Sequence, residues 1–222
     1  MLYIVETYGA MLLRSLGQTI LLTLLSLVFA MVIGLIFALM NVGRNRVFNF
    51  IGTLYVDAVR GVPLIVLAYF IYFGIPAGIK SMGIQDFRLT ALSAGTIALA
   101  MNCGAYMAEI IRAGIESVDK GQMEASRSLG LSYGKSMRLV VLPQAIRTMI
   151  PSIINQFIIT LKDTSILSVI AFPELTNTGK TIAGNTFKVL ETWALVGLMY
   201  MIVIITLSKI AKRIERRVNR GR

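Results

Sequence analysis

Charge-free apolar runs alternate with short polar stretches along this chain, and the run lengths predict helices that cross a bilayer. No Asp, Glu, Lys or Arg falls between Arg14 and Arg44, between Arg60 and Lys80, between Arg88 and Glu109, or between Glu191 and Lys209. About 20 apolar residues span a hydrocarbon core, so these runs supply four spans. A fifth, at about 149–171, is interrupted by Lys162 and Asp163 and fails a strict hydropathy threshold. The polar stretch before it and the Pro173 break after it still frame a helix of spanning length. The pattern predicts an all-α integral membrane protein with five transmembrane helices, at about 16–40, 54–75, 89–111, 149–171 and 191–210. All lie in one transmembrane domain covering residues 1–222, without internal repeats or a soluble domain. Residues before Arg14 predict a short interfacial helix with Tyr3 and Tyr8 at headgroup level. They lack the cationic start and small-residue cleavage site of a signal peptide.

Composition sharpens the class. Apolar residues make up 56% of the chain and mean hydropathy is +0.74, too apolar for a soluble domain of 222 residues to cover itself. The single Cys103 excludes an internal disulfide, and the absence of His excludes His-based metal sites and His acid–base catalysis. A net charge of +11 raises nucleic acid as a partner, but the placement of the cations argues for a membrane surface instead. With the N-terminus outside, the inner segments carry Arg44, Arg46, six cations from Arg112 to Arg147, and Lys209, Lys212, Arg213, Arg216, Arg217, Arg220 and Arg222. The outer segments carry only Arg14, Lys80, Arg88, Lys180 and Lys188. The positive-inside rule therefore places the N-terminus outside, and the 119–143 loop and the C-terminus in the cytoplasm.

That loop is the most distinctive segment. Asp119 with Gln122 three residues on reads as a capping box for a short helix, and Gly130 as its left-handed stop. Ser132 starts a second helix, which Pro143 limits. Met123, Leu129, Leu131 and Tyr133 give the segment an apolar docking face, which a plain solvated linker would not need. The spacing Glu124-Ala125-Ser126, Gly130, then Val140-Val141-Leu142-Pro143 resembles the EAA loop of membrane subunits of bacterial ABC importers. Ser126 stands where that family usually has Ala, and Val140 where it usually has Ile. Arg60 to Leu64, Ala105 to Arg112 and Lys162 to Ile170 resemble segments of its polar amino-acid branch, the histidine, glutamine and arginine type.

The resemblance implies a type I importer transmembrane domain in the bacterial cytoplasmic membrane. Glu124, Ala125, Ser126 and Gly130 then form a coupling helix that docks on a partner ATPase. It also implies two cytoplasmic ABC ATPase subunits, which bind ATP and Mg, and an extracytoplasmic amino-acid-binding protein. No cofactor or metal belongs to this chain, which is not itself an enzyme. Thr178-Gly179-Lys180-Thr181 lacks the earlier Gly of a phosphate loop, Glu174 standing in that place, and reads as a polar turn. Five helices do not easily enclose a pathway, so a second permease copy, an identical one by preference, is expected beside membrane lipid.

Ionisable groups within spans are functional candidates because leaving them unpaired there costs several kcal/mol. Asp57, Arg60, Asn102, Glu109, Thr160, Asp163 and Thr164 are the expected substrate-binding residues. The duller alternative is a set of structural pairs, Asp57 with Arg60 and Glu109 with Arg112, both at helical spacing. Arg112 and Glu116 read as interfacial and structural. Gly61 and Pro63 predict a break that exposes backbone polar groups, or else a packing kink. Among the deep charges, acids outnumber bases by one, which favours a basic amino acid. A glutamine, glutamate or opine importer is the alternative. Outside this class stand a cation-selective channel, which would not depend on ATP, and a membrane scaffold, which would leave the buried charges unexplained.

Overall fold

The computed structural model describes residues 1–43 and 45–219, and every regular element among them is helical. Arg44, Arg220 and Arg222, counted among the inner cations above, lie outside the described residues, as does the side chain of Arg217. Five helical stretches are long and apolar enough to cross a membrane: Leu2–Val42, Leu64–Ser81, Ala91–Glu116, Tyr133–Ile170 and Val189–Arg216.

The first helix, α1, runs unbroken over Leu2–Val42. The separate interfacial helix expected before Arg14 does not exist, because no proline or turn signal interrupts the run. At 1.5 Å per residue, α1 reaches about 60 Å, roughly twice a hydrocarbon core. Its early residues Ile4, Tyr8, Leu12 and Leu16 gain a partner surface on Leu175, Ile182 and Val196. Its later half lies along α5, Ala91–Glu116, and small residues let the two backbones approach. A Cβ on Gly34 would meet Met107 Cβ at 2.5 Å, and one on Gly104 would meet Ile33 at 2.7 Å.

Asn45 caps α2, Arg46–Gly61, by accepting from the N–H groups of Val47 and Phe48. Extended backbone at Val62 and Pro63 then ends it, as Gly61 and Pro63 predict. The apolar helix after the break holds α3, Leu64–Tyr69, a π-turn at Phe70–Gly74 and α4, Ile75–Ser81. This second crossing runs later along the chain than 54–75, because Asn49, Asp57 and Arg60 make α2 amphipathic.

Two short helices, α6 over Lys120–Ser128 and α7 over Tyr133–Ser136, lead into a π-turn at Met137–Val141 and then α8, Leu142–Asp163. Pro143 does not limit a helix as expected. It sits in the first turn of α8, where a missing N–H is tolerated and the preceding π-turn has already shifted the ladder. A 3₁₀ turn, Thr164–Ile170, continues α8 and stops at left-handed Ala171 just before Pro173. Then α9, Leu175–Thr186, and α10, Val189–Asn219, complete the chain. Thr178 and Gly179 are buried in α9, with Gly179 close against Trp193 and Val196.

Candidate functional site

Three helices bring polar residues to one cavity. From α2 and its break come Arg60, Gly61, Val62 and Pro63. From α5 come Asn102 and Tyr106, one turn apart. From α8 come Gln156, Ile159 and Asp163. The volume is about 500 Å³. Its charged lining is one base, Arg60, and one acid, Asp163. The Arg60 guanidinium lies 5.2 Å from the centre of the Tyr106 ring, a cation–π contact. Among the described residues neither Arg60 nor Asp163 has a salt bridge, and the buried Asn102 side chain has no hydrogen bond. The cavity therefore presents a cation, an anion and an amide that no salt bridge or side-chain hydrogen bond among the described residues consumes.

Of the expected substrate residues, Arg60, Asn102 and Asp163 meet in this cavity, while Asp57, Glu109, Thr160 and Thr164 do not line it. Thr160 and Thr164 are buried and donate to the carbonyls of Gln156 and Leu161, satisfying their hydroxyls within their own helical segment. Glu109 grips Arg112 with both carboxylate oxygens, at 2.5 and 3.1 Å, and Arg112 also bonds Glu116. The pairing considered for Glu109 and Arg112 is thus present, and that for Asp57 and Arg60 is absent among the described residues. With Glu109 occupied and Asp57 off the lining, the excess of acids over bases does not carry into the cavity.

Tyr106 and Gln156 were missed. Each had a signal: Tyr106 follows Asn102 by four residues, and Gln156 precedes Asp163 by seven, two helical turns on one face.

The 119–143 segment is a capped, largely exposed helical segment. Asp119 accepts from Gly121 N–H at 2.7 Å, but the reciprocal half of the capping box does not form, since Gln122 bonds Gln144 instead. At the far end Gly130 takes φ +86, its N–H reaches Arg127 O, and Leu131 N–H reaches Ser126 O. This is the paired closure that a left-handed glycine makes possible. Ser126 is buried and donates to Met123 O, so the hydroxyl that replaces the family's usual Ala is satisfied. Met123 packs inward, whereas Leu129 is 84% exposed and Glu124 and Ala125 lie on the surface.

Beyond the cavity, Glu174 is fully buried and caps α9, accepting from Thr176 and Asn177 N–H and from the Tyr200 hydroxyl. Burial pushes its carboxyl above the usual range, and those donors pull against it.

Residues 30–220 match the family described as the binding-protein-dependent transport system inner membrane component. The glutamine transport system permease GlnP of Escherichia coli K12 is 36% identical, over 94% of this chain and 93% of its own length. The arginine transport system permease ArtQ of Bacillus subtilis is 32% identical, over 93% and 91%. A crystal structure described as an amino acid ABC transporter with histidines superposes with TM-score 0.89 at 37% identity, covering 97% of each chain. The coupling helix and its EAA pattern are typical of this family. The chain belongs to the inner membrane component family of binding-protein-dependent transport systems, as a multi-pass ABC importer permease that works with separate ATPase and binding-protein subunits and is not itself an enzyme.

Proposed function

We propose that this permease passes polar α-amino acids across the bacterial cytoplasmic membrane, and that its cavity reads the amino-acid zwitterion. The observation that carries the reading is the lone Arg60 and lone Asp163 facing one space. A substrate carboxylate meets Arg60, an ammonium meets Asp163, and each forms a charge-assisted hydrogen bond. Asn102 then remains for a side-chain amide, so glutamine fits the charge balance best. A basic amino acid is the second reading, favoured by the arginine permease and the histidine-associated transporter among the relatives. For such a cargo Asp163 takes the side-chain cation and the α-ammonium stays in water.

The assembly we infer holds two identical permeases around one pathway, with the C-terminus and the α6 segment in the cytoplasm. Two ATPase subunits there bind ATP and Mg and receive Glu124, Ala125, Ser126 and Gly130. Leu129 supplies an apolar contact to that partner.

Reconstitution with the cognate ATPase and binding protein tests the whole reading. Glutamine should compete best for uptake, arginine and histidine next, and glutamate least. Glutamate competing best would overturn the zwitterion-plus-amide account. In the same vesicles Gly130→Val forces an L-residue into a left-handed turn, costing about 1–2 kcal/mol. Substrate-stimulated ATP hydrolysis should fall several-fold while insertion is unchanged; normal coupling would remove the docking role. The native mass of the complex reads the copy number.

A further inference from the structure

A second groove lies between α8 and the latter part of α10 and shares no lining residue with the cavity described above. Its volume is about 180 Å³, with Asn155, Ser208, Lys212 and Glu215 as polar lining and Ile154 and Ile158 as apolar lining. Ser208, Lys212 and Glu215 follow one another at helical spacing and share one face of α10. Lys212 and Glu215 are three residues apart, yet neither forms a salt bridge among the described residues. Lys209, Arg213 and Arg216 stand beside them, so these two turns carry four cations against one acid. Further back along α10 the surface changes character, and Ile202 and Ile205, on the face that carries Ser208 and Lys212, are 57% and 45% exposed. A cationic, hydroxyl- and amide-bearing notch thus opens onto an apolar stripe at the end of a membrane-crossing helix.

We propose that this groove holds an anionic phospholipid whose headgroup carries hydroxyls, of the phosphatidylglycerol class. Its phosphate sits on Lys212 within the field of Lys209, Arg213 and Arg216, and its glycerol hydroxyls donate to Glu215 and Asn155. The acyl chains run along the isoleucine stripe. The net positive charge of the notch selects an anionic headgroup over a zwitterionic one, since cations at a membrane surface attract acidic lipid. Glu215 selects a hydroxyl donor over a bare phosphate, because an unpaired carboxylate beside phosphate is repelled. The inference rests on α8 and α10 crossing a bilayer and is independent of which substrate the cavity takes.

The test uses the full permease in complex with its ATPase, stripped of lipid in detergent and titrated with phosphatidylglycerol or phosphatidylethanolamine of identical acyl chains. Bound lipid is counted by native mass spectrometry, with glycerol phosphate as the chain-free probe. Phosphatidylglycerol should be retained about fivefold better than phosphatidylethanolamine, and Lys212→Gln should remove about that factor. Lys80→Gln, remote in sequence and at the end of α4, should change nothing. Glycerol phosphate alone should not compete at equal concentration, because it lacks the chains that fill the stripe. Equal retention of the two lipids, or a Lys212→Gln protein that keeps its preference, would overturn the site. So would efficient disulfide crosslinking between two copies through Asn155→Cys in the membrane, which would show a second permease covering the groove. Native Cys103 is buried and does not confuse that readout.

Discussion

Glu109, Arg112 and Glu116 stand on successive turns of α5 and are tied together by two salt bridges, whereas Arg60 and Asp163 come from α2 and α8 and face one cavity without a salt bridge. Both sets put acids and bases in or beside membrane-crossing helices, where charge is expensive. The difference is separation along the chain. Residues three or four apart on one helix meet whatever the tertiary fold does, so they satisfy themselves as soon as the helix forms. Residues on different helices meet only if packing brings them together, and here packing holds them on one cavity instead. A pair left open in this way is available to a ligand, and a triad closed on itself is not.

The largest effect that would break this contrast is expected at Asp163. Replacing it with Asn keeps shape and removes charge, so a charge-assisted bond worth about 1.5–3 kcal/mol is lost. Uptake at low substrate should fall about 10- to 100-fold while the complex assembles normally. Wild-type uptake by Asp163→Asn, measured in vesicles with saturating binding protein, would show that the open pair is not a substrate contact. Asn102 comes next. Its amide has no partner among the described residues, and Asn102→Leu should cost one neutral hydrogen bond, about fivefold in uptake. The loss should be larger for glutamine than for arginine, and an equal loss for both would detach Asn102 from side-chain recognition.

These contacts show which parts of the protein were legible in its sequence. Charge-free runs revealed four of the five membrane-crossing helices, because bilayer thickness acts on composition directly. Gly130 and the Gly61–Pro63 break were legible because their backbone demands are local. Pro143 was misread by the same local logic: the π-turn before it changes the hydrogen-bond ladder, and no rule of neighbours forecasts that turn. The site was half legible. Arg60, Asn102 and Asp163 declared themselves as polar residues in apolar surroundings, and so did Asp57 and Glu109, which lie off the cavity lining. Only the packing of α2, α5 and α8 separates the two groups, and it also adds Tyr106 and Gln156.

The closed triad sharpens the comparison from the other side. Glu109→Gln leaves Arg112 its bond to Glu116, and the group is about a third exposed at 32%, so water can replace much of what is lost. The pair then contributes no more than about 1 kcal/mol, as exposed pairs generally do. Uptake should stay within about twofold of wild type, with a small drop in thermal stability. A loss as deep as that of Asp163→Asn would place Glu109 in the substrate path and erase the distinction.

Glu174 offers the smallest effect and a third way to hold a carboxylate, against backbone donors and a tyrosine rather than a cation. It lies outside the membrane-crossing helices, and burial raises its pKa above the ordinary value. A raised folded-state pKa means that the folded protein binds the proton more tightly than the unfolded chain. The stabilisation from that proton is therefore fully present below the ordinary glutamate value of about 4.3 and is lost as pH rises through the folded value. The melting temperature of the wild type should consequently fall, relative to Glu174→Gln, as the buffer moves from about pH 4.5 to 7. Glu174→Gln keeps one carbonyl for the α9 cap but has nothing to titrate. Two melting curves that stay parallel across that range would mean the carboxyl is ionised in the folded protein as it is in the unfolded chain. The backbone cap would then match a buried charge as completely as Arg112 matches Glu109.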